Sequence, residues 1–332
     1  MPVEPHLKLT RETPRQDILF CAAYEPRSQR LFAGSSDGSV YAFDCAQETA
    51  NPIAMPGHAG FVTGLALSAD GHVLSGGSDG QLIWRDAATR ETLRIVRAHR
   101  KWIRAVKASP DGRTLASVGD DMVCRIWDAQ SFDLKHELRG HEALTPQLLN
   151  SMLYTCAFSP DGALLATADR VGHIVVWDLA TGKAVGGIET PSLYTWDGKA
   201  RLHSIGGVRS VAFSPDGMQL AAGGIGQVGN IDGLEGKLRV EIHDWRNKKL
   251  LAEFSPDKKG MVEYLRFRPE GDWLLLAGGG AKGFLTFLDP QDRKILADET
   301  PPMYVHDIAF DPDHKRLFAV GHLKIATYAW TQ

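Results

Sequence analysis

Cysteine is scarce in this 332-residue sequence, and it never occurs at the spacings that cysteine chemistry requires. A disulfide framework or a structural zinc site needs closely patterned cysteines, and the sequence contains no C-x-x-C pair. We therefore expect a reducing compartment and a cytoplasmic protein, without metal or cofactor. The four cysteines are Cys21, Cys45, Cys124 and Cys156.

An excess of charge of one sign is also absent. Lys plus Arg number 37 and Asp plus Glu number 40, which gives a net charge of −3. This balance excludes a protein that holds nucleic acid by bulk positive charge, so a nucleic-acid partner is not expected. No apolar run approaches the roughly 20 residues needed to cross a bilayer. The first residues also lack the apolar segment of a secretory signal, so we expect no membrane association.

What the sequence does contain is a repeated turn motif, in a chain with 34 glycines and 17 prolines. The motif Ser-Pro-Asp-Gly occurs intact at 109–112, 159–162 and 214–217. Degraded copies occur at 25–28, 68–71, 268–271 and 311–314. The copies recur about every 40 to 55 residues, the period of a repeat architecture. Seven such units fill the chain, which predicts one domain over residues 1–332.

Each unit has the same internal pattern. Apolar residues precede the turn at offsets 0, +3 and +5, as in Val62, Leu65 and Leu67. This spacing indicates a bulged strand rather than a helix. Three further short strands follow, so each unit predicts a four-stranded antiparallel sheet. Such sheets bury both faces when they pack radially. We predict an all-β, seven-bladed β-propeller, closed by residues 6–12 pairing into the last blade.

The units resemble the WD repeats, whose Gly-His and Trp-Asp dipeptides delimit propeller blades. Gly57-His58, Gly140-His141, Trp127-Asp128 and Trp177-Asp178 carry the resemblance. It implies that the third unit holds a buried hydrogen-bonded set with a structural rather than a catalytic role. That set is His99, Ser117, Asp121 and Trp127.

Three motifs imitate enzyme signatures. Residues 34–38 and 76–80 match G-x-S-x-G, but a nucleophile elbow needs a strand leading into a helix, and both lie in turns between strands. Residues 224–229 match G-x-G-x-x-G without a following helix. The glycine-rich loop 223–236, with Asn230, Asp232 and Glu235, is either a cation site or a flexible polar loop. No catalytic residue is assigned.

The resemblance places the longest loops on one face, the top. They are 142–152, 190–206 and 225–236. In the second loop Tyr194, Trp196 and Arg201 either bind a partner or fasten the loop to the propeller. Five cations around Trp102 (Arg94, Arg97, Arg100, Lys101, Arg104) either meet an acidic peptide, phosphate or nucleic acid, or form a solvated surface. The residue after each first apolar position should line the channel mouth, namely Phe20, Thr63, Arg104, Tyr154, Arg209, Glu263 and His306.

These features favour a non-enzymatic scaffold that binds a protein or peptide through its top-face loops and channel mouth, either alone or as part of a larger complex. The alternative is a small-molecule or anion site in the top of the channel, with or without hydrolytic activity. An ordered ligand touching Arg104, Arg209 and His306 would favour that alternative.

Overall fold

The computed structural model describes residues 5–47, 51–198, 203–229, 236–280 and 282–331. These residues form 28 β-strands and one short 3-10 helix. The chain divides into two compact units. The terminal unit contains His6–Glu137 and Val305–Gln332, and the central unit contains Leu138–Tyr304. The assignment of residues 1–332 to one domain stays a prediction.

The terminal unit contains sheets 1 to 3, each with antiparallel neighbouring strands. Sheet 1 has six strands, in the spatial order β27 (Val305–Phe310), β28 (Arg316–Thr331), β1 (His6–Glu25), β2 (Arg30–Ser35), β3 (Ser39–Asp44) and β4 (Ile53–Pro56). Sheet 2 contains β5 (Val62–Leu67), β6 (His72–Gly77), β7 (Gln81–Asp86) and β8 (Thr92–Arg97). Sheet 3 contains β9 (Ile103–Ala108), β10 (Thr114–Gly119), β11 (Cys124–Asp128) and β12 (Leu134–Leu138), whose last residue lies at the unit boundary.

The central unit contains sheets 4 to 6 and a separate hairpin. Sheet 4 contains β13 (Leu153–Phe158), β14 (Leu164–Asp169), β15 (His173–Asp178) and β16 (Lys183–Glu189). The 3-10 helix Pro191–Leu193 leads into the hairpin β17 (Tyr194–Asp197) and β18 (His203–Gly206). Sheet 5 contains β19 (Ser210–Phe213), β20 (Gln219–Val228), β21 (Gly236–Asp244) and β22 (Lys249–Phe254). Sheet 6 contains β23 (Met261–Phe267), β24 (Leu274–Gly279), β25 (Gly283–Leu288) and β26 (Ile295–Glu299).

The all-β propeller class is confirmed, but the predicted count of seven four-stranded blades is wrong. The described strands form six blades, five with four strands and one with six. The count changes because β1 is a single strand of 20 residues. Its first part, from His6 to Pro14, pairs with β28, and its last part, from Leu19 to Glu25, pairs with β2. The first and last sequence units therefore share one sheet.

The core lies between the sheets, because the middle strands are buried on both faces. Every residue of β24 and β25 is buried, whereas β8, at the edge of its sheet, is almost wholly exposed. A strand buried on both faces reads as a continuous apolar run, which explains why the middle strands show little alternation. In the central unit one apolar cluster joins residues of sheets 5 and 6, including Leu238, Val262 and Phe284.

The Ser-Pro-Asp-Gly turns have one geometry. In the first intact copy the Ser109 hydroxyl lies 2.6 Å from Asp111 Oδ1 and accepts the Thr114 amide at 3.0 Å. Gly112 closes the turn at φ = +68°, a left-handed conformation that favours glycine. The other intact copies repeat this arrangement. The motif therefore fixes the turn by its own side-chain bonds.

The buried polar set of sheet 3 is hydrogen-bonded throughout. His99 Nδ1 lies 2.8 Å from Asp121 Oδ1, and His99 Nε2 lies 2.8 Å from the Ser117 hydroxyl. Trp127 Nε1 donates to the same hydroxyl at 3.0 Å. Burial opposes the shift, but the hydrogen bond from His99 and the charge of Arg125 hold the pKa of Asp121 well below its usual range. All four side chains are thus hydrogen-bonded within the set.

Sheets 2 and 4 build variants of this set. The sequence alignment of the units puts Val171 at the aspartate position of sheet 4, but Asp169 supplies the carboxylate and lies 2.9 Å from His141 Nδ1. In sheet 2, Arg85 stands where the indole is expected. Its guanidinium donates to the Ser75 hydroxyl at 3.3 Å and to the Pro56 carbonyl at 2.8 Å.

Candidate functional site

A β-bulge at the start of the first strand of a sheet positions most of the predicted channel-mouth residues. In sheet 3, Ile103 pairs with Gly119 and Ala105 pairs with Val118, which leaves Arg104 as the extra residue. The same register shift frees Phe20, Thr63, Tyr154, Glu263 and His306. Arg209 differs, because it precedes β19 and its amide bonds to the Gly223 carbonyl. A bulge re-aims a side chain out of the strand pairing, so these residues share one end of their sheets.

In the terminal unit the bulge residues join a continuous line of aromatic rings, which we call the aromatic row. Phe20 contacts the rings of Phe61 and His306 at centroid distances of 5.6 and 5.1 Å. Phe61 in turn meets Trp102 edge to face at 5.9 Å. These distances are in the range at which aromatic pairs attract each other. The aromatic row is Phe20, Phe61, Trp102 and His306.

Two members of the aromatic row face solvent. Trp102 is 41% exposed and Phe61 is 40% exposed, and they are neighbours. Each is the residue immediately before the first apolar position of its strand. The sequence analysis missed Phe61 because it considered only the residues that come after the first apolar positions. Trp102 precedes Ile103 just as Phe61 precedes Val62, and this shared aromatic position is the signal that could have identified Phe61.

Arg104 holds Trp102 in place. Its guanidinium carbon lies 4.8 Å from the centre of a Trp102 ring, in cation–π geometry. The same guanidinium makes two parallel bonds to the Asp120 carboxylate, at 2.7 and 2.8 Å. A bidentate arginine–carboxylate pair fixes orientation as well as charge. Trp102 is therefore both exposed and held in one orientation.

The aromatic row carries no charge of its own at neutral pH. Burial, helped by the neighbouring His322, lowers the pKa of His306 to about 3. The imidazole of His306 is therefore neutral under ordinary conditions, and it packs against Phe20 as an aromatic ring. The row presents an apolar strip rather than a cationic one.

In the central unit the predicted residues form two pairs. The Arg209 guanidinium lies 3.9 Å from the centre of the Tyr154 ring. The Tyr304 hydroxyl donates to Glu263 at 2.8 Å. Burial, together with the charge of Glu263, raises the pKa of Tyr304 far above its ordinary value, so this phenol stays protonated. All four side chains are half-buried.

The hairpin β17–β18 is fastened to its surroundings. The Tyr194 hydroxyl donates to Gln147 at 2.7 Å, and the Tyr194 carbonyl accepts from Gln227 at 3.1 Å. The Thr195 hydroxyl accepts the Val228 amide at 3.0 Å. These bonds join the three long loops that the sequence singles out. Trp196 is half-buried in the same hairpin, and the predicted contact Arg201 lies outside the described residues.

The loop at 142–152 exposes an apolar side chain that the sequence did not single out. Leu148 is 78% exposed and has φ = +59°, an uncommon conformation for leucine. Its amide bonds to the Thr145 carbonyl at 2.9 Å, and the Thr145 amide bonds to the Leu149 carbonyl at 2.7 Å. This closed turn fixes the backbone that carries Leu148.

The enzyme-like motifs lie in strands and turns. Residues 34–38 and 76–80 connect β2 to β3 and β6 to β7, and residues 224–229 run along β20 and just past its end. Asn230, Asp232 and Glu235, the candidate cation ligands, lie outside the described residues. The part of the chain that the structure describes holds no group of three or more His, Cys, Asp or Glu suited to a metal. It likewise contains no helix long and apolar enough to span a membrane.

A family model matches the chain at four places. The model describes the WD domain, or G-beta repeat, and it matches residues 51–85, 90–128, 132–178 and 194–227. These four stretches are WD repeats. The matches cover sheets 2 to 4 and the first part of sheet 5, where the polar sets are best preserved. WD-repeat propellers are typically protein-interaction scaffolds and generally not enzymes.

Curated relatives carry WD repeats inside much longer chains. The chain is 29% identical over 289 residues to periodic tryptophan protein 2 of Arabidopsis thaliana, covering 83% of this chain and 29% of the relative. It is 33% identical over 171 residues to nuclear distribution protein PAC1-2 of Uncinocarpus reesii, covering 46% of this chain and 34% of the relative. It is 28% identical over 194 residues to apoptotic protease-activating factor 1 of Rattus norvegicus, covering 58% of this chain and 14% of the relative. The chain thus spans about a third or less of these relatives.

Proposed function

We propose that this WD-repeat protein is a non-enzymatic scaffold, and that a protein partner binds it at the aromatic row of the terminal unit. The observation that carries the proposal is the exposed pair Phe61 and Trp102, held by Phe20 on one side and by Arg104 with Asp120 on the other. A side chain that is already ordered loses little conformational entropy when a partner covers it.

The chemistry of the aromatic row suits protein recognition. Trp and Arg are enriched among the few residues that dominate binding energy, and such residues cluster. The loss of one tryptophan of this kind weakens binding by about 2 kcal/mol or more, which is roughly thirtyfold in affinity. Phe61 and Trp102 stand next to each other, so a partner would bury both at once.

The hairpin residues have a different role in this proposal. Tyr194 uses its hydroxyl and its carbonyl in bonds to neighbouring loops. We therefore assign Tyr194 to fastening the hairpin and not to contact with the partner. We also propose that this protein works as part of a larger assembly, as WD-repeat propellers generally do.

The test is affinity capture from the native host, with quantitative mass spectrometry, using the wild type and the double variant Phe61→Ser/Trp102→Ala. The matched control is Leu93→Ser/Ile95→Ser on β8, which changes two side chains of the same unit that are 43% and 53% exposed. We expect the double variant to lose specific partners that the control retains, with melting temperatures close to wild type for both. Equal recovery of every partner by the two variants would show that the aromatic row is not the binding surface.

A further inference from the structure

Three cations beside the aromatic row have no partner within the described part of the chain. Arg97, Arg100 and Lys101 are exposed, and their side chains make no hydrogen bond or ion pair with the described residues. Their backbones are engaged, since Arg97 pairs with Gln81 in sheet 2 and the Arg100 amide bonds to the Asp121 carboxylate at 3.3 Å. These residues surround Trp102 in sequence, at the end of β8 and in the loop that leads to β9.

The carboxylates near this loop are already occupied. Asp120 is bonded to Arg104, and Asp79 is bonded to His58 at 3.1 Å. Asp121 is occupied by His99 and by Arg125. The three cations therefore form no ion pair with these carboxylates. The loop displays three unpaired positive side chains on a protein whose net charge is −3.

The loop that carries the cations is held by backbone bonds. The His99 amide donates to the Gly80 carbonyl at 3.0 Å, and the Trp102 carbonyl accepts the Asp120 amide at 2.9 Å. Gly80 has φ = +77°, and a Cβ there would lie 2.4 Å from the His99 carbonyl oxygen. The positive charges are thus displayed from a fixed backbone beside Phe61 and Trp102.

We propose that the partner segment is an acidic peptide, rich in Asp and Glu, that carries an aromatic or aliphatic side chain. The apolar side chain would lie on Phe61 and Trp102, while the carboxylates would face Arg97, Arg100 and Lys101. This inference rests on the proposed function, because it names the chemistry of the partner at the same surface. Charge complementarity at the rim of an interface selects partners and speeds association.

A peptide fits these observations better than a nucleic acid does. Nucleic-acid binding uses many cations along a phosphate backbone, whereas the described residues of this loop offer three unpaired ones, in a protein of net negative charge. Stacking of bases also needs open aromatic faces. Arg104 lies over one face of Trp102, and Phe61 packs against the same indole.

The test selects ligands without assuming their sequence. A random 12-residue peptide library displayed on phage is selected on the wild type and counter-selected on Phe61→Ser/Trp102→Ala. We expect the enriched peptides to carry net negative charge and at least one large apolar residue. One enriched peptide is then synthesised with a fluorescent label, and its affinity is measured by anisotropy.

Charge variants then locate the binding. The triple variant Arg97→Glu/Arg100→Glu/Lys101→Glu should weaken the peptide at least about tenfold. The matched control is Lys183→Glu/Lys248→Glu/Lys249→Glu, which reverses three exposed cations of the central unit and should change the affinity less than about twofold. Raising the salt should weaken the wild-type complex and have little effect on the residual binding of the triple variant.

Each other outcome has a defined meaning. Enriched peptides that need Phe61 and Trp102 but are neutral or basic would overturn the acidic assignment and leave the proposed function standing. Peptides that bind the aromatic-row variant as well as the wild type would overturn both. Failure to enrich any peptide overturns this inference. Tighter binding of a 12-nucleotide oligothymidylate probe, lost in the triple variant, would assign the surface to nucleic acid instead.

Discussion

Ser117 is the point at which the polar set of sheet 3 can be tested. The Asp121 carboxylate can only accept, so His99 Nδ1 carries the proton and His99 Nε2 accepts from the Ser117 hydroxyl. That hydroxyl also accepts from Trp127 Nε1. Ser117→Ala therefore removes two hydrogen bonds through the loss of one oxygen atom.

The cost follows from burial. His99 is 1% exposed and Trp127 is 4% exposed, so water cannot replace the lost hydroxyl at either ring. A buried polar group left without a partner costs about 1–3 kcal/mol. Two such groups give an expected loss of about 2–6 kcal/mol in the free energy of unfolding. At about 2 °C per kcal/mol for a chain of this size, the melting temperature should fall by roughly 4–12 °C.

The measurement is thermal and urea unfolding followed by circular dichroism, with Ser117→Thr as the conservative variant. Sheet 4 uses Thr167 at the corresponding position, where the hydroxyl accepts from Trp177 Nε1 at 2.8 Å. Threonine should therefore restore most of the stability. Ser131→Ala on an exposed turn is the control. A melting temperature of Ser117→Ala within a degree of wild type would refute the argument.

Two further predictions concern the terminal unit. Deletion of residues 1–14 removes the half of β1 that pairs with β28. The melting temperature should therefore fall, and the exposed edge of β28 should promote aggregation. Deletion of residues 1–4 is the control and should have neither effect, and equal melting temperatures for the two deletions would contradict the prediction. His306 has a pKa of about 3 when folded and about 6.5 when unfolded, so the unfolded chain alone gains a proton as pH falls from 6.5 towards 3. Between pH 7 and 4.5 the free energy of unfolding, measured by urea unfolding, should therefore fall by about 2–3 kcal/mol more for the wild type than for His306→Phe. Equal losses for the two proteins would show that His306 does not cause the pH dependence.

The sequence could predict features that local chemistry determines. The Ser-Pro-Asp-Gly turns form because their own side chains close them, as Ser109 and Asp111 do. The apolar spacing likewise predicts the bulge that frees Arg104 and His306. Both signals lie within a few residues of the structure they determine.

The pairing of residues 6–12 with the last unit was predicted, but two other features that depend on residues apart in the chain were missed. The blade count depends on whether β1 is interrupted near residues 15–17. No glycine occurs there, and Arg15 pairs with Asp17 at 2.7 Å within the continuous strand. Counting repeat units cannot detect that two units share a sheet. Asp169 was also missed, because a carboxylate two residues earlier in the chain can reach the same imidazole.

The pairing of β1 with β28 has a consequence for biosynthesis. Thr10 bonds to the carbonyl of Thr327, a partner 317 residues later in the chain. At the usual rate of roughly 5–20 residues per second, the ribosome needs roughly 15–60 s to deliver that partner. During this interval the first half of β1 emerges without its neighbour. The first half of β1 therefore remains unpaired through most of the translation of the chain. An unpaired strand of this kind is a natural substrate for chaperones that shield exposed strand edges.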